Sequence, residues 1–389
     1  MSGWPVVGMG VVSPAGRGRE RFWRACADGP VPPRPVDHLD VTGIEGYPVG
    51  LVPELAGVRA RGDAGRWVDL AVAAGQEALA EASSVGDVPA DRRALVLGST
   101  DYTGFEVDHE EAGAQVRHCD PAAVAERLGI AGPVLMTSNA SAAGAAALVV
   151  AADLLAAGVT DRVTVIGVDC ITRTGLYGLV ALRALSKQGC RPFAADRRGI
   201  HLAECSAAVV LDRRPVPHAC RMTGGWVSNV AGQYARPEVE GLIDVIGRAC
   251  TRAGILPSEL DHVNAHAAGT QQGDLAELTA LEQLLGPAVR DIPVLSVKGI
   301  LGHCQGAAGV LEAIATVRAL QEGVPPVLAG VDDVDPRWSQ QNFGQRRTTR
   351  PLHRAVSISC GLGGVNAAVV MESTTPAAMS SGANGRAAE

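Results

Sequence analysis

Short apolar runs alternate with helix-length segments along almost the whole chain, and this alternation constrains the fold more than any other feature. Val6–Val12, Ala94–Leu97, Val163–Gly167 and Ala207–Leu211 read as buried strands bounded by Gly, Pro or charged residues. Between and after them, Trp67–Ala82, Ala142–Ala157, Val239–Ala253, Leu275–Leu285 and Ala307–Gln321 have the length and composition of helices. Strands alternating with helices predict an α/β protein whose sheets are largely parallel and covered on both faces. At 389 residues, 47% apolar and 19% charged, the chain has enough material for two domains with a sizeable core.

The segment Arg213–Cys220, with Pro215 and Pro217, is the natural passage between two halves, 1–214 and 215–373. No residue-level repeat relates them. The tail from Thr374 to Glu389 lacks apolar periodicity and is expected to be disordered. The net charge of −7 and the absence of a Lys/Arg-rich run argue against nucleic acid. Ala142–Gly158 is too short and carries Asp153, so it reads as a buried helix and no membrane span is expected. MSGWPVVGMG has no basic region followed by a long apolar stretch. The nine cysteines show no metal-ligand spacing, and the expected compartment is a reducing cytoplasm.

Four motifs carry chemistry. Asn139-Ala-Ser141-Ala-Ala-Gly144 opens the alanine-rich helix, where unpaired amides and the helix dipole favour a developing oxyanion. The ordinary alternative is that this serine caps the helix. Val263-Asn-Ala-His266-Ala-Ala268-Gly-Thr270 places a histidine where a strand runs into a turn, suited to moving a proton or to a hydrogen-bonded place in the core. Ser296-Val-Lys298-Gly-Ile-Leu-Gly302-His303 precedes a glycine-punctuated helix carrying Glu312, an acid able to partner a buried lysine. Ser357-Ile-Ser-Cys360-Gly361-Leu362-Gly363-Gly364 is a strand leading into a Gly-rich turn able to offer N–H groups.

In that order, and together with Val6-Val-Gly-Met-Gly-Val-Val-Ser-Pro14, Arg183-Ala-Leu-Ser186 and Pro192-Phe-Ala-Ala-Asp196-Arg, the motifs resemble the β-ketoacyl synthase family of thiolase-type condensing enzymes over nearly the whole chain. The resemblance implies a thiolase-like layered αβαβα fold of two similar halves. It sets Ser141 at the position of the family's nucleophilic cysteine, matches His266 and His303 to its two histidines, Lys298 to its lysine and Glu312 to the partner of that lysine. The amides of Ser141 and Leu362 correspond to its oxyanion hole. Thr270, Ala268, Cys360, Gly361, Gly363 and His201 fall where substrate would be lined. Ala268 replaces a hydroxyl residue that the family turns toward the pantetheine arm, and Cys360-Gly-Leu362 replaces its aromatic gate.

The same resemblance implies an acyl thioester on an acyl carrier protein as substrate. It implies no cofactor beyond the phosphopantetheine arm that arrives with it, and a homodimer or a heterodimer with a ketosynthase. Serine needs a general base, and its oxyester is less activated toward a carbanion than a thioester. Acyl transfer is therefore the expected reaction. Decarboxylative condensation, decarboxylation of a malonyl thioester, and a non-catalytic role like that of a chain-length factor are the alternatives.

Overall fold

The computed structural model describes residues 3–61, 65–100, 119–232, 237–326, 328–329, 333–344 and 351–374. The first half supplies β1 (Trp4–Ser13), β2 (Gly16–Arg17), β3 (Arg93–Gly98), β4 (Val134–Thr137), β5 (Arg162–Asp169) and β6 (Cys205–Asp212). The second supplies β7 (Arg221–Asn229), β8 (His262–Asn264), β9 (Val294–Leu295), β10 (Arg354–Cys360) and β11 (Val365–Glu372). They run in the order β4-β3-β5-β6-β1-β7-β11-β10-β8-β9, with β2 paired to β1.

That order contains the same pattern twice. With β2 set aside, the strands of each half lie third, second, fourth, fifth, first from the outer edge inward. The pairing senses also repeat: the outer pairs are parallel, and the fourth–fifth and fifth–first pairs antiparallel. The halves join where Trp4 and Pro5 pair with Met222 and Arg221. Arg213–Cys220 is the passage between β6 and β7.

The helices are α1 (Arg19–Asp28), α2 (Arg66–Ala82), α3 (Pro121–Arg127), α4 (Ala143–Ala156), α5 (Arg173–Ala181), α6 (Val239–Ala253), α7 (Gln271–Leu285), α8 (Lys298–Leu301) and α9 (Ala308–Glu322). α4 and α9 touch each other and pack against strands of both halves, whereas α2 covers one outer face and α6 the other. This is the expected αβαβα stacking. AGAAALVVAADLLA in α4 is apolar on nearly every side because a helix between two sheets has no polar face to present. Its small residues permit close approach. A Cβ on Gly144 would lie 2.6 Å from Gly306 O, and one on Gly309 would lie 2.4 Å from Ala145 N. Among the described residues no helix is long and apolar enough to cross a membrane. The tail expected to be disordered lies, beyond Thr374, outside the described residues.

Candidate active site

Ser141 sits in a single 3-10 turn, Ala140–Ala142, that feeds into α4. A matching 3-10 turn, Gln305–Ala307, feeds into α9. Ala140 and Gln305, the first residue of each, share a left-handed backbone, with φ of 50° and 52°. The two starts read Ser141-Ala-Ala-Gly144 and Gly306-Ala-Ala-Gly309. This is a residue-level trace of the duplication, legible once the helices are known to be equivalent. Left-handed conformations cost energy in residues with a Cβ and concentrate where geometry is functionally constrained. Ala267, φ 25°, directly after His266, and Arg183, φ 55°, on the cavity wall, share this feature.

Three carboxylates hold these turns. Asp169, at the end of β5, accepts the Ser99 hydroxyl at 2.6 Å, the Thr100 amide at 3.0 Å and the Gly306 amide at 2.6 Å. Glu277 on α7 accepts the amides of His266 and Ala267 at 2.6 and 2.7 Å. Asp274 accepts those of Phe193 and Gly269 at 2.8 and 3.1 Å. Burial pushes Asp169 and Asp274 up to about 6 and Glu277 up to about 7, although the backbone bonds oppose it. The sequence reading missed all three as positioning groups, though Asp274 and Glu277 lie four residues or more into a helix that follows the histidine motif.

His266 and His303 face one another edge to face, with ring centroids 5.4 Å apart. His303 Nδ1 accepts the Gln305 amide at 2.9 Å, which fixes the proton of the neutral ring on Nε2. His266 Nδ1 is buried and has no hydrogen-bond partner among the described residues. Desolvation first, then the Lys298 charge, holds both histidines well below their ordinary value. Lys298 and Glu312 form a buried ion pair behind them. Burial pushes Glu312 up to about 7 against the opposing pull of that lysine.

Ser141, His266 and His303 open on one cavity of about 640 Å³, walled also by Ala268, Thr270, Cys360, Gly361 and Leu362. α5, which the sequence reading did not identify, lines it with Thr174, Gly175, Gly178 and Leu179. Gly361 is required where it stands. A Cβ there would lie 2.7 Å from Asn139 O and 3.2 Å from Ala140 Cβ, so the Gly-rich turn packs directly on the Ser141 turn. Among the described residues no backbone carbonyl takes the Ser141 or Leu362 amide. The Thr270 hydroxyl accepts the Gly273 amide at 3.2 Å as the cap of α7. The Cys360 thiol is pushed well above its ordinary value by burial, which makes it a poor replacement nucleophile.

Two expected lining residues are placed elsewhere. Ile200 and Leu202 line the cavity but His201 does not, because successive residues of an extended segment point to opposite sides. Its ring is buried, accepting the Cys190 amide on Nδ1 at 2.9 Å, while its backbone carbonyl accepts the His303 amide at 2.8 Å. Gly363 lies outside the cavity wall and turns the chain with φ 87°.

Comparison with known proteins agrees with this architecture. The β-ketoacyl synthase N-terminal domain matches residues 5–216 and the C-terminal domain residues 222–332. The chain is 30% identical to a putative polyketide β-ketoacyl synthase 1 of Streptomyces cyaneus, over 94% of this chain and 97% of the relative. It is also 30% identical to nodulation protein E of Rhizobium leguminosarum bv. trifolii, over 85% and 90%. The ishigamide ketosynthase/chain length factor superposes with a TM-score of 0.84 at 24% identity, covering 96% of this chain and 100% of that one. A β-ketoacyl synthase from Burkholderia phymatum STM815 gives 0.84 at 22%, with the same coverage. Matched by both domains of one family and aligned over nearly its full length with a polyketide relative, the chain belongs to the β-ketoacyl synthase family.

Proposed function

We propose that the chain is an acyltransferase that moves an acyl group from the phosphopantetheine thioester of an acyl carrier protein onto Ser141, in polyketide or fatty-acid-type specialised metabolism. The observation that carries this reading is the convergence of Ser141, His266 and His303 on one cavity, with both rings held neutral. His303 has its Nδ1 lone pair engaged and serves as a donor through Nε2. His266 is the ring left to act as base. Ser141 Oγ attacks the thioester carbonyl and its proton passes to His266, while the oxyanion rests against the amides of Ser141 and Leu362. Collapse expels the pantetheine thiolate, which takes the proton back. The oxyester then passes its acyl group to an amine, an alcohol or water.

The substrate side of the cavity suits such an arm. Arg183 and Arg198 are exposed on its wall, with no ion-pair partner among the described residues, and offer cations to a phosphodiester. No further cofactor is needed. We assign the protein to the cytoplasm and to a homodimer or a heterodimer with a ketosynthase. β4 supports the second assignment as an outer-edge strand with Val134 and Leu135 exposed.

One observation favours a second reading. A histidine held well below its ordinary value is a weak base yet a good neutral donor, and two such donors suit the enolate formed by decarboxylating a malonyl thioester. Intact-mass measurement separates the readings. With an acyl carrier protein thioester, acyl transfer predicts an adduct on Ser141 that Ser141→Ala abolishes; no adduct sinks it. Decarboxylation predicts acetyl carrier protein from malonyl carrier protein, with much of that activity surviving Ser141→Ala. A non-catalytic partner subunit gives neither product.

A further inference from the structure

Gln305 carries an unused polar atom into the cavity. Gln305 is 8% exposed, and its Nε2 donates to Cys170 O at 3.2 Å. A backbone carbonyl only accepts, so this bond decides which end of the amide is which. Oε1 therefore points away from Cys170, and it has no hydrogen-bond partner among the described residues. It faces α5, 3.6 Å from where a Cβ on Gly175 would stand, and both residues line the cavity.

The helix opposite is built to leave this atom open. Glycine inside a helix costs roughly 1 kcal/mol relative to alanine, and α5 has it at Gly175 and Gly178, one turn apart on the cavity side. A Cβ on Gly178 would meet nothing within 4 Å, so no close packing requires glycine there. The 3-10 turn of Gln305 also packs against that of Ser141. A group on the acyl chain near the thioester carbonyl is thereby brought within range of Oε1.

We propose that Gln305 Oε1, uncovered by Gly175, is a specificity determinant selecting acyl groups with a hydrogen-bond donor close to the thioester, of which a 3-hydroxyl is the simplest. The assignment rests on the reading of the cavity as an acyl site and names the acyl class it takes. A partly buried acceptor is satisfied by the hydroxyacyl group and left unpaired by the saturated one, which corresponds to about a tenfold preference.

The test uses binding, so that it does not depend on turnover. Dissociation constants for 3-hydroxyoctanoyl-pantetheine and octanoyl-pantetheine are measured by calorimetry on the Ser141→Ala protein, alone and combined with Gln305→Leu or Gly175→Ala. The expected result is an approximately tenfold tighter hydroxyacyl complex, with the ratio of the two dissociation constants falling to about one in either combined variant. Gly175→Ala leaves the Gln305 side chain itself unchanged, its Cβ standing 3.6 Å from Oε1 and 3.1 Å from the capping Thr172 hydroxyl, so it remains informative where Gln305→Leu folds poorly. Equal affinities in Ser141→Ala, or a preference surviving both second substitutions, overturn the assignment. Hydroxyacyl preference without any Ser141 adduct in the unsubstituted protein overturns acyl transfer and leaves the assignment standing.

Discussion

His303 Nδ1 accepts the Gln305 amide at 2.9 Å, whereas His266 Nδ1 has no partner among the described residues, so the proton position is fixed on one ring and free on the other. The left-handed backbone of Gln305, φ 52°, aims that amide. Acylation of Ser141 is accordingly expected to fall about 100- to 10,000-fold in His266→Ala, the range of a lost general base. His303→Asn, which keeps an N–H donor, should lose much less. Rapid-quench mass spectrometry of the acyl adduct measures both rates, and equal losses would contradict the division of labour.

Lys298 and Glu312 are each essentially inaccessible to solvent, so removing one strands the other's charge. Lys298→Met should destabilise the fold by about 3–5 kcal/mol, with Lys298→Met/Glu312→Met recovering most of it. Urea unfolding measures this. The lysine charge also lowers both histidines. In Lys298→Met they should protonate at higher pH, moving the acid limb of the acylation pH profile upward, as read from initial rates in matched buffers.

Where local chemistry determined structure, the sequence was a good guide. Val239–Ala253 was expected as a helix and forms with those bounds, ended by Gly254 in a left-handed cap with φ 75°. α7 starts at Gln271 and not at Leu275 because its first turn is polar and is held by the Thr270 cap, which apolar periodicity does not register. α5 was missed because Gly175 and Gly178 mask a helix that Thr172 caps through the Gly175 amide. The histidines and the Gly-rich turn were legible as motifs. The proton position on His303 was not, since it depends on one backbone dihedral at Gln305. His201 stands in an extended segment between two lining residues, Ile200 and Leu202, and the alternation of that segment takes it to the other side.

Glu277 ties pH to stability. Its folded value of about 7 lies above the ordinary 4.5, so between those pH values the folded chain keeps a proton that the unfolded chain has released. Its contribution to stability therefore falls as pH rises across that interval, and those of Asp169 and Asp274 fall in the same direction up to about 6. His201, His262, His266 and His303, all lowered by burial, act in the opposite direction below about 6.5, so the Glu277 contribution is read as a difference between urea midpoints of the unsubstituted protein and Glu277→Gln. Glu277→Gln, which cannot ionise, should be less stable at pH 5 because one of the amides of His266 and Ala267 loses its acceptor, and its deficit should shrink as pH rises to 7. Parallel profiles of the two proteins from pH 5 to pH 7 would exclude Glu277 as a source of pH dependence.

Among the described residues β4 ends the sheet with one edge open, and its Val134 and Leu135 are 37% and 40% exposed. Its neighbour β3 takes the other edge. A four-residue edge strand with apolar side chains and no charge of its own lacks the usual protection against pairing with another chain. If a second subunit pairs here, Leu135→Asp places a carboxylate in the new contact and should shift the dimer toward monomer. The substitution leaves the pairing of β4 with β3 intact, because that ladder is made by backbone groups. Sedimentation velocity on Leu135→Asp and the unsubstituted protein measures the change. An unchanged dimer would place the subunit contact on another surface. The Ser141 turn follows β4 by only two residues, so monomerisation is also expected to slow acylation, and a monomer with full acylation rate would separate assembly from the site.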